Sequence, residues 1–220
     1  MYHWDFGALW GYRSLVVVGL GYTVGYTVLC VVLGLVVGTA TGLGRLARTR
    51  FVTWPLLLYT EAFRCTPLLV QLVWFYYALP VLLDISMSPA LAATLTLSLY
   101  GGAFYAEIIR AGIVSVDDGQ WDAGRALGLG RLLLMRKIIL PQALKRMLPP
   151  LMNQSIIQLK NTSLVSVLAV PDLLYQGQVI TAALYRPLEV YTLVAAVYFA
   201  VLFPATLAVQ RLERRLAANA

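Results

Sequence analysis

The sequence is poor in charge and almost empty of histidine and cysteine. Only 12% of its 220 residues are Asp, Glu, Lys or Arg, with one His and two Cys. A lone His3 excludes a histidine-built metal centre and His-dependent catalysis. Cys30 and Cys65 both fall within apolar stretches, so buried free thiols are expected there rather than a disulfide. No GxSxG turn, HExxH pair, metal-spaced cysteine pair or Walker A loop occurs. The chain therefore carries no catalytic signature and cannot hydrolyse ATP by a P-loop of its own. Fixed-period repeats and low-complexity tracts are lacking too. The opening MYHWDFGALW has no basic n-region, and no cleavable signal is expected.

What is present is oil. Apolar residues make up 60% of the chain and the mean hydropathy is +0.76, which is no soluble composition. Continuous apolar runs, each near the ~20 residues needed to cross a bilayer, recur along the chain. A β-barrel would need short alternating segments instead. The expectation is an all-α membrane protein. The net charge of +7 is gathered in loops, which points to cytoplasmic connections rather than nucleic-acid binding.

Taken in order, residues 1–13 are aromatic (Trp4, Phe6, Trp10, Tyr12) and suit the outer headgroup layer. A first span runs from about Ser14 to Leu43, with Gly19, Gly21, Gly25, Gly34, Gly38 and Gly42 including pairs at the i, i+4 spacing of close helix packing. The basic loop with Arg45, Arg48 and Arg50 belongs inside, placing the N-terminus outside. The second span, Thr53 to Leu83, is long for one straight crossing, and Arg64, Thr66 and Pro67 predict a kink or break. Asp84 to Pro89 reads as a short external turn, and Ala90 to Ile113 as the third span. The fourth, Leu148 to Val170, is opened by Pro149 and Pro150, where missing amide hydrogens matter least, and closed by Pro171. Residues 172–187 belong outside, Val190 to Val209 cross a fifth time, and Arg211, Arg214 and Arg215 hold a tail, 211–220, inside. This gives five transmembrane helices, N-terminus out and C-terminus in, with a membrane domain over 14–210.

Between the third and fourth spans lies Gly119 to Pro141, GQWDAGRALGLGRLLLMRKIILP. Its small residues, Ala123, Gly124, Ala126, Gly128 and Gly130, let another surface approach the backbone. Its apolar run, Leu132 to Leu140, is stopped by Pro141. A connector needs only solubility; this one is built to dock.

Ionisable groups within spans are costly and face the bundle interior or a water-filled path. Glu61 with Arg64, and Glu107 with Arg110, are three apart and can pair on one helix face. Structural pairing and a lining role both stand for Glu61 and Arg64, whereas snorkelling suits Arg110. In the fourth span Gln154, Gln158 and Asn161 form one stripe, flanked by Asn153, Lys160 and Thr162. Interhelical bonding is one reading of it. Lys160, with no carboxylate near it in sequence, favours the other, a solute path in which a carboxylate of the solute partners the amine.

The docking stretch resembles the EAA loop of bacterial ABC-importer permeases: EAA, three residues, Gly, nine residues, Ile, one residue, Leu-Pro. Here Asp122-Ala123-Gly124, Gly128, Ile138 and Leu140-Pro141 keep every spacing, with Asp for Glu and Gly for the second Ala. FRCTPLLVQL, YAEIIRAGI, GQWDAGRALGL, LPQAL and LKNTSLVSV are similar to the polar-amino-acid branch, the histidine, arginine, glutamine, glutamate and opine permeases. That resemblance covers nearly the whole chain and implies a type I ABC-importer permease of the inner membrane. It implies two permeases, identical or sisters, set in membrane lipid on an ATPase pair that holds ATP and Mg, with substrate delivered by an extracytoplasmic binding protein. No cofactor is expected in this chain and no nucleic-acid partner.

By the same resemblance Asp122, Ala123, Gly124, Arg125, Ala126, Leu127 and Gly128 form the coupling helix. The substrate path is expected to draw on Glu61, Arg64, Glu107, Gln154, Gln158, Lys160, Asn161 and Thr162. Relatives often carry Lys-Asp-Thr where this chain has Lys160-Asn161-Thr162, which predicts weaker preference for cationic substrates. Cys65 stands where the family usually has Gly. Two rival classes make distinct demands. A passive channel or ion-coupled carrier needs no docking loop, and a membrane-embedded enzyme needs paired carboxylates, histidines or a nucleophile facing one cavity.

Overall fold

A computed structural model describes residues 2–217, and every regular element among them is helical. After a 3-10 stretch, Gly7–Tyr12, the helices are α1 Arg13–Gly44, α2 Arg50–Arg64 and α3 Leu68–Leu83. They are followed by α4 Pro89–Val114, α5 Asp118–Ala126, α6 Arg131–Leu168, α7 Leu173–Leu184 and α8 Pro187–Ala217. The surface is inside-out relative to a water-soluble bundle. Val17, Val28 and Val36 of α1 and Phe199 and Phe203 of α8 are exposed, while Thr23, Thr60, Thr96, Gln154 and Gln158 are buried. Such a chain is stable only where the surrounding solvent is lipid or protein.

The interior is organised around α4. Gly34, Gly38 and Gly42 of α1 lie on Ser98, Gly102, Tyr105 and Ala106, and a Cβ at Gly38 would fall 2.5 Å from Tyr105 Cβ. The register advances in the same direction on both helices, so α1 and α4 run parallel. On its other side α4 meets α6 antiparallel, Gly101 opposite Gln158 and Gly112 opposite Met147. Gly19 is likewise covered, by Leu173 and Gln176 of α7, but Gly21 and Gly25 face open space. The small-residue expectation thus holds for four of the six glycines.

The predicted break in the second span is present. Pro67 is extended (ψ 134) and the α2 and α3 axes bend by 107°. Gln71 holds the break: its Nε2 donates to the carbonyls of Phe63 (2.9 Å) and Thr66 (3.1 Å). A π turn, Trp74–Ala78, precedes Pro80, and another, Met135–Ile139, precedes Pro141. In both places the widened turn makes room for a ring that would otherwise strike the carbonyl four residues back.

Four expectations are corrected. Cys65, expected as a buried thiol like Cys30, is exposed beside the α2–α3 break. Pro141 does not stop the apolar run; α6 continues through it as one rod from Arg131. Pro149 and Pro150 do not open a helix but lie inside one. The two bonds they forfeit are offset by packing, since Ala143 and Met147 are buried against Gly112 and Ile113. Residues 172–187, read as an outer connection, contain α7, bent 46° from α6. Asp172 caps α7 by accepting from Leu174 and Tyr175 amides, and Leu173, Gln176, Gly177 and Ile180 are buried.

Two helical stretches, Gly7–Gly44 and Pro187–Leu216, are long and apolar enough to cross a membrane, and the bent pairs α2–α3 and α6–α7 add two if each is one span. The expected third span, α4, falls outside that count despite its 26 residues. Its Gly, Ser, Thr and Tyr residues meet protein, so it need not be oily all round. The expected tail 211–220 begins as the last turns of α8, and 218–220 lie outside the described residues.

The two ends of the bundle differ. Near the chain start, Glu189 of α8 is fully buried and accepts from the Tyr2 hydroxyl and the Asp5 amide (3.1 Å). At the opposite end of α1 and α4, Leu46 and Trp121 cover Ile109, Ile113, Leu134, Ile139 and Met147, and α5 sits there.

Candidate functional site

The predicted docking stretch folds into a short helix with a device at each end. At the start of α5 the Asp117 carboxylate accepts from the Gly119 amide at 2.8 Å, and Asp118 stands in the first turn, where the helix dipole favours negative charge. At its end Gly128 takes φ +71. The Gly128 amide donates to the Arg125 carbonyl (2.9 Å) and the Leu129 amide to the Gly124 carbonyl (3.1 Å). This pair of bonds is a Schellman cap, which explains a glycine at this position.

The two faces of α5 do different things. Trp121 is half-buried in the apolar cluster below, and Gln120 accepts from Gln142 of α6 at 3.2 Å. Gly124 is buried beneath Leu134, whose Cδ1 occupies the space a Cβ would need. Its smallness therefore serves packing within the chain rather than the approach of another one. Asp122, Ala123, Arg125, Ala126, Leu127 and Gly128 are exposed, with Asp122 and Arg125 paired at 3.0 Å. Leu127 is 76% and nearby Leu132 81% exposed. A capped helix seated on a long rod, with bare Leu127 at its end and bare Leu132 on the rod beside it, is a ready docking surface.

The amide stripe of α6 is divided. Gln154 and Gln158 turn inward and are buried; Gln158 Nε2 donates to the Leu97 carbonyl at 2.8 Å, and Gly101 makes room for its amide. Thr162 is buried and donates to the Leu159 carbonyl at 2.7 Å. Gln154 Nε2, Gln158 Oε1 and Asn161 Nδ2 are buried without partners, so interhelical bonding satisfies the stripe only in part. Lys160 is exposed. Two residues at 100° each carry it to the far side of the helix from Gln158. It belongs to a different stripe, with Asn153, Ile157 and Val167, also exposed.

The remaining predicted residues are not brought to one place. Arg64 pairs with Glu61 at 3.2 Å and lies over the Phe104 ring (5.8 Å to centroid), beside the α2–α3 break. Phe104 is one turn along α4 from Gly101, so the Arg64 and Gln158 positions both abut the middle of α4. Glu107 does not join them. It bridges Arg45 of the α1–α2 loop and Arg110 of its own helix, towards the end that carries α5. Sequence spacing indicated Arg110 but could not indicate Arg45, 62 residues away. Among the described residues no group of three or more His, Cys, Asp or Glu could hold a metal.

Residues 31–218 match the family described as "Binding-protein-dependent transport system inner membrane component". The glutamine transport system permease protein GlnP of Escherichia coli K12 is 39% identical over 213 residues, covering 96% of this chain and 97% of that one. The L-cystine transport system permease protein TcyB of Bacillus subtilis is 37% identical over 199 residues, covering 90% and 85%. Among solved structures, a crystal structure of an amino acid ABC transporter with histidines superposes with a TM-score of 0.92 at 35% identity, covering 97% of this chain and 100% of that one. The inward-facing MetNI methionine ABC transporter shares the fold alone, with a TM-score of 0.76 at 20% identity over 92% and 96%. The all-helical architecture is thus that of a type I ABC-importer permease, and the chain belongs to the family of binding-protein-dependent transport system inner membrane components.

Proposed function

We propose that this chain forms, with a second permease copy or a sister, the path by which an amino acid crosses the inner membrane. ATP and Mg are held by a pair of partner ATPases seated on α5, and an extracytoplasmic binding protein delivers the substrate. The observation that carries the reading is the exposed outer face of α5 and its cap, Asp122, Ala123, Arg125, Ala126 and Leu127, fixed at both ends. A rigid helix seated on α6 can transmit ATPase closure to the bundle as one body.

The proposed topology is five crossings: α1, α2–α3, α4, α6–α7 and α8. The N-terminus is outside, and α5 and the C-terminus are inside. Parallel α1 and α4 with antiparallel α6 support it. So does the concentration of arginine at the α5 end, where Arg45, Arg48, Arg50, Arg125, Arg131 and Arg136 occur. Domain boundaries at 1–13, 14–210 and 211–220 follow this topology.

For the substrate we infer a zwitterionic amino acid without net positive charge. Lys160 on the open face of α6 offers a cation to a carboxylate, and Asn161 withholds a negative charge. The relatives named for glutamine and cystine handle substrates of this kind. Co-purification tests the docking role. Tagged wild-type chain should retain its ATPase partner, whereas Leu127→Lys and Asp122→Lys should lose it while inserting normally. Full retention in both variants contradicts the reading.

A further inference from the structure

At the end of the bundle that carries α5, a cavity of about 450 Å³ is lined by Arg45, Arg50, Thr53, Trp54, Leu57 and Arg110. We propose that it holds the phosphate of an anionic phospholipid of the inner leaflet, an assignment that rests on the orientation given above for that end.

The charge balance is the first ground. Glu107 alone answers Arg45 and Arg110, and Arg50 has no ion pair among the described residues, so two positive charges remain unanswered. Arg45 is only 11% exposed, so it cannot reach water freely to shed the excess. The α2 N-terminus adds to the positive field, since no side chain caps it and no acidic residue stands in its first turn. Thr53 lies on the same wall, its hydroxyl held only by long 3.4 Å contacts to the Thr49 and Arg50 carbonyls. Guanidinium forks, a hydroxyl and a helix start are the donor set that phosphate takes.

The second ground separates a lipid from a soluble phosphate. Phe51, Trp54 and Leu58, around the mouth and down α2 from it, are 91%, 68% and 69% exposed. An acyl chain descending from a headgroup in the cavity would lie along that apron, with the Trp54 ring at the headgroup level. Basic pockets between helices on the cytoplasmic side are established places for such headgroups. A free anion would gain nothing from the apron.

The test uses the complete transporter purified in mild detergent, with short-chain phosphatidylglycerol and phosphatidylcholine titrated separately by native mass spectrometry. Phosphatidylglycerol should bind better than phosphatidylcholine, and its binding should weaken as salt is raised. Arg50→Gln, which breaks no ion pair, should reduce phosphatidylglycerol affinity by about fivefold without lowering the melting temperature. Millimolar inorganic phosphate should compete only weakly. Equal binding of the two lipids, or unchanged affinity in Arg50→Gln, overturns the proposal. Full displacement by inorganic phosphate would assign the cavity to a soluble anion instead, and a cross-link from a cysteine at Phe51 to the second permease would assign the apron to protein. Because lipid binding is read directly, its failure leaves the transport reading untouched, and loss of transport leaves this result untouched.

Discussion

Small residues decide how closely α1 and α4 approach. A side chain at Gly38 must displace the Gly102 carbonyl oxygen, 2.9 Å from its Cβ, and Tyr105. Gly38→Val should therefore destabilise the assembled transporter by ~2 kcal/mol, seen as a lower melting temperature. Gly21→Val, which meets open space, should leave that temperature unchanged. The two variants share a chemistry and differ only in contact, so equal effects would refute the packing described. On α6 the contrast is functional. Lys160→Met touches no bond within the chain and should leave stability alone while lowering uptake at least tenfold, a loss of about 1.4 kcal/mol in effective substrate binding. Asn161→Asp should move preference towards arginine or lysine in competition uptake; an unchanged profile refutes the charge argument.

At the scale of elements, two joints organise the chain. In the α2–α3 break, Gln71 satisfies carbonyls that Pro67 leaves without helical partners. Gln71→Leu should loosen this joint by about 1–3 kcal/mol, visible as faster hydrogen exchange over 63–71 with the rest protected. At the end of α5, Gly128→Ala forces a Cβ into the left-handed region at ~1 kcal/mol and should fray that helix selectively.

These joints show what was legible beforehand. Pro67 after Thr66 announced the break, because proline acts through local backbone sterics. Pro141, Pro149 and Pro150 misled, since their local penalty is outweighed by π widening and by burial of Ala143 and Met147, neither of which a linear pattern displays. The α7 helix was missed because its buried face (Leu173, Gln176, Gly177, Ile180) mixes glutamine and glycine with two apolar residues, and so gives no apolar period. Of the site, the outer face of α5 was legible from motif spacing. The stripe itself follows helical spacing, but Lys160 is no flank of it: two residues at 100° carry it to the other side of the helix from Gln158. Arg45 bonding to Glu107 is a long-range contact and left no local trace.

For the whole molecule, the important arrangement is that α5 is seated at one end of α6, while the amide-bearing stretch lies further along that same helix. Arg131–Leu168 runs unbroken from the docking helix past Gln154, Gln158 and Lys160, so displacement at one end must move the other. This geometry allows energy coupling and substrate contact to be separated by mutation, and the two kinds of variant should differ in ATP hydrolysis. Lys160→Met should retain ATP turnover driven by the loaded binding protein. Leu127→Lys should not.

The most direct measurement follows substrate uptake and ATP hydrolysis together, in proteoliposomes containing this chain, its ATPase and its binding protein. With the wild type, loaded binding protein should stimulate both. With Leu127→Lys the permease should remain inserted, while uptake and the stimulated part of hydrolysis both vanish. Uptake at the wild-type rate in that variant would contradict the account.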